Sequence, residues 1–273
     1  MSLIASVRSE ITKLFSTSAW WILAVILVVY VGGLAAGMSG LFSWLATGGD
    51  TGGAGALPVE SLPATMYSIA TSVGYPFPLL VGTLMVTAEF RHKTLTPTFL
   101  ATPKRGIALA AKVVVAVLVG VLYGVIAVIA VTGSAAAILA ASGLDTTLGD
   151  SDTWAMRGRQ LIGFVLWTVI GVGLGALIRN QVAAIVIVLA FTQFVEPVLR
   201  IAGGFIDWIG SVTNYLPGAA SDALVGASFY SGLGGMPASA SGLEWWAGGL
   251  VLAGYAVVFL VLGALTSWRR DLT

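Results

Sequence analysis

The residues best suited to chemistry gather in one stretch, EFRHKTLTPTFLATPKRG, running from Glu89 to Gly106. It holds an acid, Glu89, four cations, Arg91, Lys93, Lys104 and Arg105, and the single histidine of the chain, His92. Hydrolysis is not what these types offer: the chain has no H-E-x-x-H and no Ser/His/Asp grouping on its apolar runs. It has no cysteine, which removes thiolate chemistry and disulfides. No lysine stands in a G-x-x-x-x-G-K-[ST] pattern, so the chain has no P-loop of its own. No catalytic residue and no metal ligand are assigned, and no cofactor is expected on this chain. What remains is recognition. Thr96 can cap a helix whose first position is Pro97, TFLAT supplies a turn or two, and Pro103 stops it. The expected product is a short helix presenting Phe99 and Leu100, with Lys104 and Arg105 just behind.

The elements that must hold this stretch are apolar. The chain is 58% hydrophobic and 9% charged, against about 25% charged in soluble domains. Too little polar surface exists to coat a water-facing globule, so most of the chain is expected in lipid. A net charge of +1 gives no general pull toward nucleic acid. A membrane-crossing helix needs about 20 mostly apolar residues. Six windows qualify: 20–41, 65–88, 113–141, 159–178, 182–199 and 246–267. The expectation is an all-α membrane protein, one transmembrane domain over 1–273, with the run from Trp20 retained rather than cleaved as a signal peptide. Segment 89–112 is then a loop on the side of the termini, and 200–243 a long region on the other.

Charge sets the orientation. With the N-terminus in the cytoplasm, ten of the 13 Lys and Arg fall inside and nine of the 12 acids fall outside. The even number of spans returns the C-terminal tail, SWRRDLT, to the cytoplasm. The expected location is the plasma membrane, multi-pass, with both termini cytoplasmic.

Two further segments are patterned. In residues 1–18, Leu3, Ile4, Val7, Ile11, Leu14 and Phe15 fall on one helical face, with Arg8, Glu10 and Lys13 on the rest. That is an amphipathic helix for the inner leaflet, either a plain anchor or a platform for a partner. Beyond the fifth span, Ile201, Phe205, Trp208, Ile209, Val212 and Tyr215 recur at helical spacing between Pro197 and Pro217. This region is either an interfacial helix or a re-entrant element closing a path from outside, with Glu196, Phe205, Trp208 and Tyr215 as candidate gate residues. The pairs Gly33/Gly37, Gly120/Gly124 and Gly171/Gly175 allow close helix approach. No ionisable residue falls mid-span in these windows, which argues against a proton- or ion-coupled carrier.

AEFRHKTLTPTFLATPKRGIALAAK resembles the first cytoplasmic loop of ABC exporter permeases of the six-span, type-2 superfamily. The matching positions are Glu89, Phe90, Arg91, Thr94, Leu95, Phe99, Leu100, Lys104 and Arg105. That family usually carries Gly near position 93, where this chain has Lys93. The amphipathic lead, the six spans, the long outer region and the WRRD tail extend the likeness over most of the chain. The resemblance implies a connecting helix at the N-terminus and a coupling helix in the first inner loop. Both would engage a cytosolic ABC ATPase, two copies of which join two permeases as a homodimer or heterodimer. His92 falls within the implied contact region. ATP and Mg would sit on the ATPase subunit. The implied function is ATP-driven export of an amphiphilic or lipid-like substrate. The alternatives are a non-transporting assembly or sensor subunit and a secondary carrier.

Overall fold

The computed structural model describes residues 2–47, 58–94, 98, 105–203, 207–233 and 242–268. Among them every regular element is helical. The order is α1 (Leu3–Phe15), α2 (Ala19–Thr47), α3 (Leu62–Ser72), α4 (Pro76–Arg91), α5 (Arg105–Ala141), α6 (Ser151–Leu177), α7 (Gln181–Ala190), α8 (Glu196–Gly203), α9 (Asp207–Thr213), α10 (Pro217–Val225), α11 (Phe229–Leu233) and α12 (Trp245–Gly263). A π-helical turn, Phe191–Val195, joins α7 to α8, and another, Ala264–Trp268, ends α12.

Six stretches are long and apolar enough to cross a membrane: Ala19–Thr47, Val59–Arg91, Gly106–Ala141, Ser151–Leu177, Gln181–Arg200 and Trp245–Thr266. They coincide with the six expected windows, with two systematic differences. The third and fourth begin about two turns early, taking in Lys112 and Arg157. A charged residue ends an apolar window in a sequence, but it does not end a helix when the fold supplies partners. The second span is two helices: Gly74 and Pro76 interrupt the ladder between α3 and α4. Pro76 lacks the N–H a continuous helix would use.

Glycine contacts fix the directions. The Tyr123 hydroxyl donates to the Trp20 carbonyl and Gly32 lies against Ala130, so α2 and α5 run parallel. Gly120 meets Val165 and Thr168 while Gly124 meets Leu161, so α5 and α6 are antiparallel. A Cβ on Gly82 would fall onto the Thr168 carbonyl oxygen, and one on Gly175 would fall 2.5 Å from that of Thr83, so α4 and α6 run parallel. Gly173 against Phe259 and Gly263 against Ala176 align α12 with them. The crossings therefore alternate, and α1 lies at the same end of the bundle as the end of α12. We call this the proximal end, and the other the distal end.

α6 has its largest interfaces with α4, α5 and α12. Of the glycine pairs expected to mediate close approach, Gly120/Gly124 and Gly171/Gly175 sit in such contacts; Gly33/Gly37 have nothing within 4 Å among the described residues. Val25 and Val29 on α2, and Val186 and Phe194 on the fifth span, point outward, as lipid-facing residues should. The long distal region is not a peripheral loop throughout: α10 is buried from Pro217 to Val225 except Ala219, packed against α3, α6 and α12.

Candidate functional site

The proximal end carries a closed ring of four charges. Glu10 and Lys13 come from α1, one turn apart; Glu89 comes from the last turn of α4, and Lys112 from the second turn of α5. Lys13 Nζ donates to Glu10 Oε1 and Glu89 Oε1, both at 2.7 Å. Lys112 Nζ donates to Glu10 Oε2 at 2.6 Å and to the Met85 carbonyl at 3.2 Å. It also pairs by charge with Glu89 Oε2 at 3.1 Å. Each carboxylate thus faces both lysines. The ring is neutral, and Lys112, Glu10 and Glu89 are buried. Burying an unpaired charge would be prohibitive, and the matched arrangement removes that cost. Burial alone would lower the Lys13 ammonium. Its hydrogen bonds to Glu10 and Glu89 and their charges outweigh that and hold it above its usual 10.5.

This corrects the simple amphipathic reading of α1. Glu10 turns inward with Ser6, while Leu3, Ile4 and Phe15 are exposed, and Val7, Ile11 and Leu14 pack partly against the core. The outward apolar residues suit a helix lying in an interface. Arg8 is exposed.

The loop after α4 begins with a Schellman motif: Thr94 N–H donates to the Glu89 carbonyl, and Lys93 N–H to that of Phe90. Lys93 is the left-handed residue of the motif, with φ at +55°. α5 ends in the same way at the distal end, with Gly143 at +72° in the equivalent place. Position 93 therefore asks for the conformation glycine adopts without strain. Arg91, His92, Lys93 and Thr94 are exposed. Thr98 bonds back to the Thr94 carbonyl, and Lys13 Nζ donates to its hydroxyl at 3.2 Å. The loop is therefore tied to α1. Leu95, Phe99, Leu100 and Lys104, and the expected short helix around them, lie outside the described residues; Arg105 begins α5. A cavity of about 430 Å³ opens beside the ring. Its polar end holds Glu10, Lys13, Glu89 and His92, and its apolar wall holds Trp20, Leu23, Val81, Leu84 and Met85.

A second polar network lies toward the distal end. Glu196 is 1% exposed. Its carboxylate accepts from the N–H groups of Gly218 at 2.5 Å and Ala219 at 3.2 Å, at the start of α10, and from the Tyr75 hydroxyl at 3.1 Å. Tyr75, at the break between α3 and α4, also donates to the Thr192 carbonyl, which the widened π turn presents. Its ring stacks on Trp167, whose indole N–H donates to Ser221. Asp222 receives Arg200 at 2.6 Å, Ser228 at 2.6 Å and Ser72 at 2.7 Å. Burial pushes the Tyr230 hydroxyl up to about 12, assisted by the Asp222 charge and opposed by Arg200, which lies 4.8 Å from the Tyr230 ring.

Of the four gate candidates, Glu196 is an internal fastening, Tyr215 is exposed, Phe205 lies outside the described residues, and the side chain of Trp208 on α9 is likewise undescribed. No ionisable residue stands mid-span in the expected windows, but the fold nonetheless buries Lys112, Arg157, Glu196 and Asp222, and leaves the Arg200 side chain only 13% exposed. Lys112, Arg157, Glu196 and Arg200 stand at or just beyond the edges of the windows, where a residue reads as loop. Asp222 and Tyr75 were not singled out at all; Ser221–Asp222 in a mostly apolar run, SDALVGA, was the available signal. Among the described residues, no three His, Asp or Glu group as a metal site. Compared with models of known families and with curated proteins, the chain matches none.

Proposed function

We propose that this chain is the membrane permease subunit of an ATP-driven ABC exporter, with ATP hydrolysis supplied by a separate cytosolic subunit. The observation that carries this reading is the four-charge ring. It fastens the N-terminal helix, the end of α4, the start of α5 and Thr98 of the intervening loop into one unit. A partner pressing on that loop moves α4 and α5 together, because buried ion pairs resist separation. The exposed Arg91, His92 and Lys93 are the described groups such a partner would meet. The left-handed Lys93 supports the likeness, since the family pattern has glycine there. In this reading the proximal end is cytoplasmic, two ATPases and a second permease copy complete the transporter, and Glu89 positions the loop from within. The cavity, polar at one end and apolar along its wall, fits an amphiphilic cargo.

The test is whether a P-loop ATPase is encoded beside this chain and co-purifies with it, followed by ATP-driven export in vesicles. Charge reversal at Arg91, or Phe99→Asp, is expected to uncouple hydrolysis from transport while leaving membrane insertion intact. Unchanged transport in both variants removes the coupling role.

The buried Glu196 favours a second reading, a proton-coupled carrier, because such carriers bury a titratable group. Transport driven by a proton gradient without ATP, and abolished by Glu196→Gln, would select it.

A further inference from the structure

We propose that Arg157 anchors a binding site for an oxyanion, a phosphate or carboxylate borne by an amphiphile, at the distal end of the bundle. This goes beyond the transport reading and does not depend on it.

The internal comparison is with Lys112, which is buried, and Arg200, which is mostly enclosed. Lys112 faces Glu10 and Glu89, and Arg200 holds Asp222. Arg157 is 5% exposed and pairs with no carboxylate among the described residues. Its Nη1 donates to Gln160 Oε1 at 3.2 Å, and its guanidinium lies 4.1 Å from the centre of the Tyr67 ring. Gln160 cannot neutralise it; that amide is fixed by its own donation to the Tyr67 carbonyl at 2.9 Å. Nη2 is buried without a hydrogen bond. The fold therefore matches charge with charge at Lys112 and Arg200 and leaves Arg157 with an amide, an aromatic face and a spare donor.

A buried cation without a counter-charge is expensive to keep, and such groups mark ligand sites in membrane proteins. The described acids at this end do not serve. Glu60, Asp145, Asp150, Asp152 and Glu244 are exposed, and Asp145 accepts from the Thr147 N–H. Arg159, two residues on, adds a second cation. Its Nη1 would lie 3.2 Å from a Cβ on Gly226, so its guanidinium rests against the C-terminal end of α10, while its buried Nε has no hydrogen bond. That helix end partly answers Arg159; among the described residues nothing equivalent faces Arg157.

The spare edge of a guanidinium suits a carboxylate or phosphate. Arg157 is the seventh residue of α6, roughly 9 Å along the helix from its start. With the exposed Trp154 of the first turn of α6 set at the headgroup layer, Arg157 stands where headgroups meet acyl chains. A tail would then run along the exposed apolar residues of the bundle. Arginine's long stem allows the guanidinium to swing from the Tyr67 face toward an arriving anion.

The experiment uses the purified full chain in a nonionic detergent, with thermal unfolding followed by tryptophan emission. The probes are dodecyl phosphate, dodecylphosphocholine and inorganic phosphate. Dodecyl phosphate is expected to raise the midpoint in a saturable way, with half-saturation weakened about tenfold or more in Arg157→Met and partly retained in Arg157→Lys. Dodecylphosphocholine, whose phosphate is already paired with a cation, is expected to act far more weakly. An equal response to inorganic phosphate would keep the anion site but overturn the amphiphile. An equal dodecyl phosphate response in Arg157→Met, or none in the wild type, overturns the proposal. Should Arg157→Met fail to fold, native mass spectrometry of the wild type decides. Retention of phosphatidate over phosphatidylcholine supports the site, and equal retention refutes it. ATPase capture by the wild-type chain is read separately, so a failed anion site leaves the transport reading standing.

Discussion

Replacing Lys112 by Met tests the charge ring directly. The substitution keeps an unbranched apolar stem but leaves Glu10 and Glu89 sharing Lys13 alone. Both carboxylates are buried, and Lys13 is 39% exposed by side chain, so one negative charge is left uncompensated at a site closed to water. Breaking a buried pair in this way costs about 3–5 kcal/mol. Glu10→Gln leaves the opposite excess, but Lys13 can turn to solvent; a cost of about 2–3 kcal/mol is expected. The double variant restores neutrality with the 2.7 Å Lys13–Glu89 pair intact. It should cost about 3 kcal/mol less than the sum of the single variants. Equilibrium unfolding by a denaturing detergent, followed by tryptophan emission, yields all four corners of the cycle. Additivity to within about 0.5 kcal/mol would refute the ring, because independent sites add and a shared charge balance does not.

Three other outcomes follow from the same geometry. Glu196→Leu leaves the Gly218 and Ala219 N–H groups without an acceptor and the Tyr75 hydroxyl with the Thr192 carbonyl alone; a loss of about 2–4 kcal/mol is expected, against about 1–2 for Glu196→Gln, measured by the same unfolding. Lys93→Gly should be tolerated and Lys93→Ile should cost about 1–2 kcal/mol, since φ is +55° there; equal stabilities would remove the left-handed requirement. The Lys13 ammonium is raised above 10.5 in the folded chain. Its contribution should therefore be constant below that value and disappear as pH climbs through the folded value. The midpoint difference between wild type and Lys13→Met, followed from pH 8 upward, checks the sign.

The crossings were legible because lipid imposes a simple rule: every backbone group must be paired within the segment, so an apolar run of sufficient length is a helix. Its limits were not, and the misses share a cause. Lys112 and Arg157 read as boundaries because a charge is costly in lipid; in the fold they face Glu10, Glu89 and Gln160 instead. Which residues answer a charge is a long-range fact, and Glu10 lies far from Lys112 in sequence. The Schellman turn at Lys93 was hidden for a local reason, since the residue type there is not the one its conformation favours. Of the expected loop contacts, Arg91, His92 and Thr94 are exposed, whereas Glu89 is turned inward by two lysines. α10 escaped notice because a short helix of Ala, Ser and Asp carries no membrane signature; its burial comes from glycine-scale contacts with α12, where Gly248 meets the Ala220 carbonyl.

The seams around α6 carry a mechanical corollary. Where Gly82 meets Thr168, Gly171 meets Leu79 and Gly173 meets Phe259, main chain rests on main chain with no side chain between to deform. A joint of that kind neither stretches nor slides by small amounts, so α4, α6 and α12 should travel as one stiff plank. Any change of shape then falls to the rim, to α2 and the fifth span, which bury the smaller part of their surface in the bundle.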